Sequence, residues 1–589
     1  MNNKEIAELL RSVAASYIIK DEKKFHFQIV AYQRAADSIA NSTSELKDLY
    51  KEGKLQDLSG IGLTMKQHFE ELFSSGKVKQ FDWAMDGIPP AVFSLMRVPS
   101  IGPKKAFKLS QEFKLVSADT AVEELLKSAQ AGKIKPLAGF GEKSEADIIR
   151  ALGEFKEGKG KTTRMVLPFA GELADKLIEY LRKSKDVEGA YTLGSLRRMM
   201  ATVGDIDMAI STDNPDKAID YFCKYPYADR IIEKGPTSAS LLLTSGQQVD
   251  LIALKPSQLG SLLQHFTGSK NHNVRLREYA LRRGMSLSER GIKVIKNGKE
   301  VLQEYDTEEK FYKALGLDWI PPEIREGTTE IEAAQTHKLP TLVELKDIKG
   351  DLHIHSSFPI EPSHDMGRDS MEDMVKNAVI LGYEYIGFSE HNPSVSKHTS
   401  EQTVELLKKR KKEIDRLQEK YPNIHILGLM ETDILTDGSL ALDESALELL
   451  DATLVSIHSG FSMDKETMTK RVLKGLSYPK AKIFTHPTGR ILNSRDGYEI
   501  DFPAIFSFVK KHDKAIEING WPNRLDLSDI MVREAIKAGV QMTIDTDSHA
   551  LDQMTLMKYG VSVARRGWAE KNDILNTLSA KEFATWLRN

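Results

Sequence analysis

The spacing of apolar positions changes character along the chain. In the first third, apolar residues recur every three or four positions, as in "LTMKQHFEELF" (Leu63–Phe73) and "SEADIIRAL" (Ser144–Leu152), a period that predicts amphipathic helices. Around residue 205 the period drops to two: "DIDMAI" (Asp205–Ile210) and "QQVDLIAL" (Gln247–Leu254) read as strands. Residues 321–346, "PPEIREGTTEIEAAQTHKLPTLVELK", carry paired prolines and acids with little periodicity and read as a linker. Beyond them, short apolar runs ("YEYIGFSEH", "IHILGLMETDI", "ATLVSIHSG", "KIFTHPTGR", "AIEING", "QMTIDTDSH") alternate with helical stretches. That alternation predicts an α/β barrel-like unit with functional groups at the C-terminal strand ends. The fold class is therefore multidomain α/β, helical at the front and barrel-like at the rear.

Composition bounds this picture. At 589 residues the chain exceeds one ordinary core, and 41% hydrophobic with 28% charged residues fits a globular protein. There is no apolar run long enough to span a membrane, and charge from Lys4 onward argues against a signal peptide, so a cytoplasmic, nucleoid-associated protein is expected. The single cysteine, Cys223, excludes an intramolecular disulfide and reads as a core thiol. Charge is asymmetric: residues 1–320 hold 48 Lys+Arg against 43 Asp+Glu, and residues 321–589 hold 34 against 42. Of the 15 histidines, 11 lie beyond residue 320. A mildly basic front and an acidic, histidine-rich rear point to a polyanion-handling region joined to a metal-binding one.

Three glycine turns each open an amphipathic helix: "LSGIGLTMKQHFEELF" with Gly60 and Gly62, "VPSIGPKKAFKL" with Gly102 (Ser100 stands where a first glycine is usual), and "LAGFGEKSEADIIRAL" with Gly139 and Gly141. This is the shape of a helix-hairpin-helix, in which backbone N–H groups approach a DNA phosphate beside a helix N-terminus. Such contacts grip nicked or gapped DNA without reading its sequence.

In "YTLGSLRRMMATVGDIDMAI" (Tyr191–Ile210), Asp205 and Asp207 project from one face of a strand, and Asp250 sits in the second strand-like run. Like charges on one face call for a divalent cation between them. The Gly194-Ser195 turn is placed to cradle nucleotide phosphates, with Arg198 supplying charge. Three acids and such a turn are what two-metal phosphoryl transfer needs, with Mg2+ or Mn2+ as the ion.

At these residues the chain resembles the family X DNA polymerases, through "GSLRR…GDID" and "HFTGSKNHNVRLREYALRRG" (His265–Gly284). The resemblance implies a nucleotide site of Gly194, Ser195, Arg198, Gly204, His265, Phe266, Gly268, Asn273 and Arg277 that takes dNTPs. It also implies an order of domains: helical helix-hairpin-helix (1–90), fingers-like helix-hairpin-helix (91–160), nucleotidyltransferase palm (161–258), thumb (259–320), linker (321–346) and a metal-dependent phosphoesterase domain (347–589). His265 stands where the family has tyrosine. Where beta-like members carry a Schiff-base lysine this chain has His68, with Thr64 in place of a helper lysine and Lys66 on another face, so efficient lyase chemistry is not expected.

The strand ends of the rear half carry His353, His355, His391, Glu431, His458, His486, Asp547 and His549. Recurrence at successive strand ends points to a multinuclear metal site. This half resembles the PHP (polymerase and histidinol phosphatase) domain, a distorted (β/α)7 barrel, which implies two or three Mn2+, Zn2+ or Fe2+ ions and metal-dependent trimming of DNA 3′ ends, with Arg490 neutralising charge on the phosphate. The family's ninth ligand is an aspartate shortly after His-x-His. Here "FPIEPSHDMG" intervenes; Asp365 is the preferred ligand, with Glu361 and then His364 as alternatives.

The reading is a monomeric, gap-filling DNA polymerase with a 3′-5′ exonuclease or 3′-end-processing activity. The alternatives are an inert palm serving a PHP phosphoesterase (3′-phosphatase or AP endonuclease) and a DNA-end scaffold.

Overall fold

The computed structural model describes residues 1, 3–40, 46–51, 55, 63–98, 101–156, 164–244, 246–296, 299–492 and 497–588. They fall into two compact units, Met1–Thr163 and Arg164–Asn589. Among the described residues no helix is long and apolar enough to cross a membrane.

The first unit is helical. Ile6, Leu10, Val13 and Tyr17 form one face of the helix Asn3–Asp21 and meet Tyr32, Ala36 and Ile39 of the helix His26–Ala40 in one core. A second core gathers Leu95, Ala106, Leu109, Leu125, Ile148 and Leu152. Gly102 precedes a proline at the first position of the helix Pro103–Glu112. Gly139 adopts a positive φ of 83° in the turn that leads, through Gly141, into the helix Glu142–Lys156. The Glu145 carboxylate ties that helix back to the preceding loop by accepting from the Ile134 and Lys135 amides (2.8 and 2.9 Å). Gly60 and Gly62, the first glycine turn, lie outside the described residues.

The second unit begins with a five-stranded sheet in the order Gly189–Thr192, Ile206–Ser211, Gln248–Leu254, Ser238–Leu243, Ala228–Lys234. Its strands Ile206–Ser211 and Gln248–Leu254 run parallel, with Asp207 opposite Asp250. Next come the helices Leu259–Thr267 and Lys270–Leu281, a three-stranded antiparallel sheet, and the helix Glu308–Ala314.

Residues 321–346 are not a linker. Ile324, Ile331, Ala334 and Leu342 join the core formed by Leu276, Phe311 and Tyr312, and Arg325 and Glu330 are fully buried. The segment has short helical turns (Pro322–Ile324, Glu330–Gln335) instead of a long periodic element, so its apolar anchors leave no recognisable period. Its buried charges are paired. Glu308 binds Arg325 (2.6 Å) and both Arg197 nitrogens (3.0 and 2.6 Å). Burial alone would push the Glu308 carboxyl up, but the two guanidiniums outweigh it and bring it down to about 2.

The barrel is built from parallel staves: Gly350–Ile354, Tyr385–Phe388, His425–Asp433 (interrupted at Leu429–Met430), Thr453–Ser456, Ala481–Phe484, Ala515–Asn519 and Met542–Asp545. Parallel bridges at Ile354–Ser548 and His391–Glu431 join the two sheet segments into a closed ring. One apolar cluster runs from palm residues such as Leu177 and Ile206 to barrel residues such as Ile516 and Tyr559. At the same joint the Arg566 guanidinium, on the barrel helix Met557–Arg566, holds barrel Asp529 (2.7 Å), the Arg198 carbonyl (2.8 Å) and Glu326 (3.0 Å).

Replacing Glu308 with Gln leaves the buried Arg325 guanidinium and the part-buried Arg197 guanidinium without their carboxylate, and should lower the unfolding free energy at neutral pH by about 3–5 kcal/mol in denaturant titrations. Because the folded carboxyl lies below its ordinary value of 4.5, this contribution is present above that pH. The gap between wild type and variant should therefore close as pH falls toward about 2.

Candidate functional site

Two clusters stand out in the second unit. The first is on the palm sheet, where Asp205 enters the strand carrying Asp207, and Asp250 pairs with Asp207 across the parallel ladder. Burial, then Asp205 and Asp250, push the Asp207 carboxyl up to about 7, against the pull of Arg198. Such crowding of acids fits a divalent cation. Gln248 donates to both Asp250 oxygens at 3.0 Å and fixes that carboxylate. The Leu193 amide donates to the Asp207 carbonyl (2.8 Å), which brings the Gly194-Ser195 turn over the acids. Gly194 has φ 55°, and a Cβ there would collide with the Asp207 carboxylate, so only glycine serves. Gly204 sits at the turn just before Asp205.

Arg198 leans toward the thumb. Its Nε donates to Glu326 (3.1 Å) and a terminal nitrogen donates to the Thr267 carbonyl (2.5 Å), close against Gly268. His265, Asn273 and Arg277 come together: Asn273 donates to the His265 carbonyl (2.6 Å), and Arg277 lies 3.4 Å from His265 Nδ1. Phe266 is exposed beside them. In the first unit, His68 lies 3.2 Å from the Tyr32 hydroxyl and stacks on its ring, and burial lowers its pKa. An imidazole carries no primary amine with which to form a Schiff base.

The second cluster lies inside the barrel. At its hub is Glu431, 1% exposed, with His353 (3.1 Å), His391 (3.0 Å) and His355 (3.6 Å) at one oxygen and His486 (2.8 Å) and His458 (3.3 Å) at the other. Burial pushes this carboxyl up, but His391, His353 and His458 outweigh it and hold it well below the usual range. Asp547 lies 3.3 Å from His355 and 3.5 Å from His353, and the His549 and His355 rings stack at 4.1 Å. Two groups of three ligand-type residues, His355/His391/His549 and His353/His486/Asp547, bring their donor atoms within 4.8 Å of one another. His486 and Asp547 have left-handed backbones (φ 29° and 56°), a strain kept where function requires it.

The donor set fits metal ions. Nδ1 of His355 and His486 and Nε2 of His549 are buried without a hydrogen-bond partner, and His391 Nδ1 and His355 Nε2 face carboxylates (3.0 and 3.3 Å) without hydrogen-bond geometry, a costly arrangement that a metal removes. Glu517 supplies the surrounding shell: it lies 2.6 Å from His353 Nδ1, fixing that ring, and accepts from the His486 backbone amide (2.6 Å).

Three expectations shift. Asp365 and His364 are both exposed, but the His364 ring, 34% exposed, leans onto the cluster, 4.3 Å from His458 and with Nε2 3.1 Å from Asp433. Adjacent residues in this loop face opposite ways, and His364 takes the inner side. Glu361 points away and pairs with His398 (3.5 Å). Asp433, 2.7 Å from His458, completes a third group with His364 and was not singled out from the sequence. The signal was there, since Glu431 and Asp433 in "METD" share one strand face. Arg490 spends its guanidinium on the carbonyls of Arg524 and Leu525, and the arginine seen at the cluster among the described residues is Arg524, 3.6 Å from Asp547.

Over its whole length the chain is 33% identical to the Bacillus subtilis protein named DNA polymerase/3′-5′ exonuclease PolX, covering 100% of both chains. The chain belongs to the PolX group of family X DNA polymerases. Family models for a DNA polymerase beta thumb and a helix-hairpin-helix domain match residues 262–326 and 1–78. The family core extends to DNA polymerase lambda of Rattus norvegicus, 23% identical over 55% of this chain and 56% of that one. A probable phosphatase of Caldicellulosiruptor saccharolyticus is 27% identical over 31% of this chain and 74% of its own length.

Metal content separates the ninth-ligand assignments. His364→Ala should weaken retention of one transition-metal ion by roughly 10–100-fold in chelator competition, whereas Asp365→Ala should leave metal content at the wild-type level. The reverse result would return the role to Asp365.

Proposed function

We propose that this chain is a DNA-directed DNA polymerase that fills short gaps during repair, with a metal-dependent 3′-5′ exonuclease in its barrel. The observation that carries the reading is the presence of two separate centres, one of carboxylates and one of imidazoles, in a chain similar end to end to a DNA polymerase/3′-5′ exonuclease. Gapped or nicked DNA and dNTPs are the substrates this implies, and the cytoplasm is where they would be met.

In the palm, the Gly194-Ser195 turn would receive the nucleotide's phosphates, and Asp205, Asp207 and Asp250 would hold Mg2+ or Mn2+. The ion supplies a lowered pKa for the primer 3′-hydroxyl and charge neutralisation at the departing pyrophosphate. Gly268 leaves room beside Phe266 for the incoming sugar, while His265, Asn273 and Arg277 line the side of the nascent base pair. Arg198 would release Glu326 to meet the triphosphate.

In the barrel, His353, His355, His364, His391, Glu431, Asp433, His458, His486, Asp547 and His549 would hold two or three Mn2+, Zn2+ or Fe2+ ions. These supply Lewis acidity toward a phosphodiester. Glu517 keeps His353 oriented for them. Glycine turns in the helical unit would hold the duplex, with strong salt dependence and little sequence preference. Similarity of 31% of the chain to a probable phosphatase favours one further substrate for the barrel, a primer ending in a 3′-phosphate.

The test uses a primed one-nucleotide gap with dNTPs and Mg2+ or Mn2+. Asp205→Ala/Asp207→Ala should abolish extension and spare 3′ digestion, and His353→Ala/His355→Ala should do the reverse. Loss of both activities in either protein would end the two-centre reading. A 3′-phosphorylated primer in the same assay tells phosphatase from exonuclease.

A further inference from the structure

The barrel centre opens on one side. His353, His355, His486 and Glu431 are at most 1% exposed, whereas the side chains of His549, Asp433, His458 and Asp547 are 20, 18, 13 and 10% exposed. Beside His549 and Asp547 on that open side stands the loop that follows the stave Ala515–Asn519.

This loop is rigidly built. Asn519 and Asp526 exchange backbone hydrogen bonds at its base (2.5 and 3.2 Å), and the Asn519 side chain accepts from the Trp521 amide (2.9 Å). The Arg524 and Leu525 amides both close on the Trp521 carbonyl (2.9 and 3.0 Å). Asp526 is anchored by the Thr488 amide and hydroxyl (3.0 and 2.8 Å), and Arg490 clamps the carbonyls of Arg524 and Leu525 from behind. What the loop presents to the centre is two side chains. The Trp521 ring lies 6.2 Å from that of His549 at 65°, and Arg524 Nε is 3.6 Å from Asp547. That separation is too long for a firm hydrogen bond, so the guanidinium is attracted to the centre without being committed to it.

We propose that Trp521 and Arg524 form the subsite that seats the last nucleotide of a DNA 3′ end, with the guanidinium on the scissile phosphodiester and the indole against the terminal base. The proposal rests on the barrel being the nuclease centre and names how its substrate is held. A strand of phosphates nearing an acid-bearing cradle needs a cation at the rim, and a planar guanidinium grips two phosphate oxygens at once. An aromatic face accepts any base, as a nuclease without sequence preference requires.

The experiment uses full-length Trp521→Ala, Trp521→Phe, Arg524→Met and Arg524→Lys proteins, each checked for wild-type metal content and gap-filling. Single strands ending in a normal nucleotide or in an abasic residue are digested, and dAMP or deoxyribose 5-phosphate is titrated into metal-free protein while tryptophan fluorescence is followed. Trp521→Ala should lower kcat/KM roughly tenfold on the base-bearing end and leave the abasic end unchanged, with Trp521→Phe near wild type on both. Arg524→Met should lower kcat/KM roughly 10–100-fold on both ends, with partial recovery in Arg524→Lys. Quenching by dAMP that is present in wild type and absent in Trp521→Ala supports the subsite even if no digestion is found, in which case only the nuclease reading fails. Equal losses on both ends for Trp521→Ala, or unchanged digestion in Arg524→Met, would overturn the proposal.

Discussion

A carboxylate removed from water must be met by positive charge or by a proton, and the second unit is organised around how each buried acid is met. Glu308 is answered fully, by Arg197 and Arg325, and its carboxyl falls to about 2. Asp529 and Glu326 are answered by Arg566. Glu431 has only imidazoles around it, several with nitrogens that bond to nothing. Asp207 has two further acids and a distant share of one arginine, and its carboxyl rises to about 7. The first three acids are structural because the chain's own guanidiniums neutralise them. Asp207 is left short of positive charge, and Glu431 is met only by imidazoles, which are themselves metal donors; those are the places where cations belong.

The same accounting explains why palm, thumb and barrel form one compact body. Arg566 is a barrel residue, yet it bonds to the carbonyl of Arg198 just after the Gly194-Ser195 turn and to Glu326. A guanidinium shared in this way cannot be withdrawn without exposing unpaired acids on both sides. The segment at 321–346 reinforces the joint with buried apolar anchors and with Glu330, which accepts from the Gly327 and Thr328 amides (2.6 and 2.7 Å). A tether between independent bodies would have no use for such packing. On the proposed reading, synthesis and trimming would be carried out by sites fixed within one body, so that DNA, rather than the barrel, moves between them.

The chemistry of both centres was written in the sequence wherever local geometry alone decides it. Acids two residues apart on a strand share a face, and histidines at successive parallel strand ends meet at one rim of a barrel. The gathering of Asp205 with Asp207 and of His353 with His355 was legible in this way, as was that of the strand-end residues His391, His458 and His486. Gly194 was legible as a turn, but only the structure gives its reason, the Asp207 carboxylate that occupies the space of a side chain.

What the sequence could not determine was every choice that depends on which way a loop turns or what lies across a joint. The turn of His364 toward Asp433 and His458, the commitment of Arg490 to backbone carbonyls, and a packed segment instead of a linker all depend on neighbours tens or hundreds of residues away. Periodicity encodes the faces of regular elements, because their repeat is fixed by backbone geometry. Irregular segments have no such repeat, and the partners that orient Asp433, Glu517 and Arg566 appear only when distant parts of the chain are packed together.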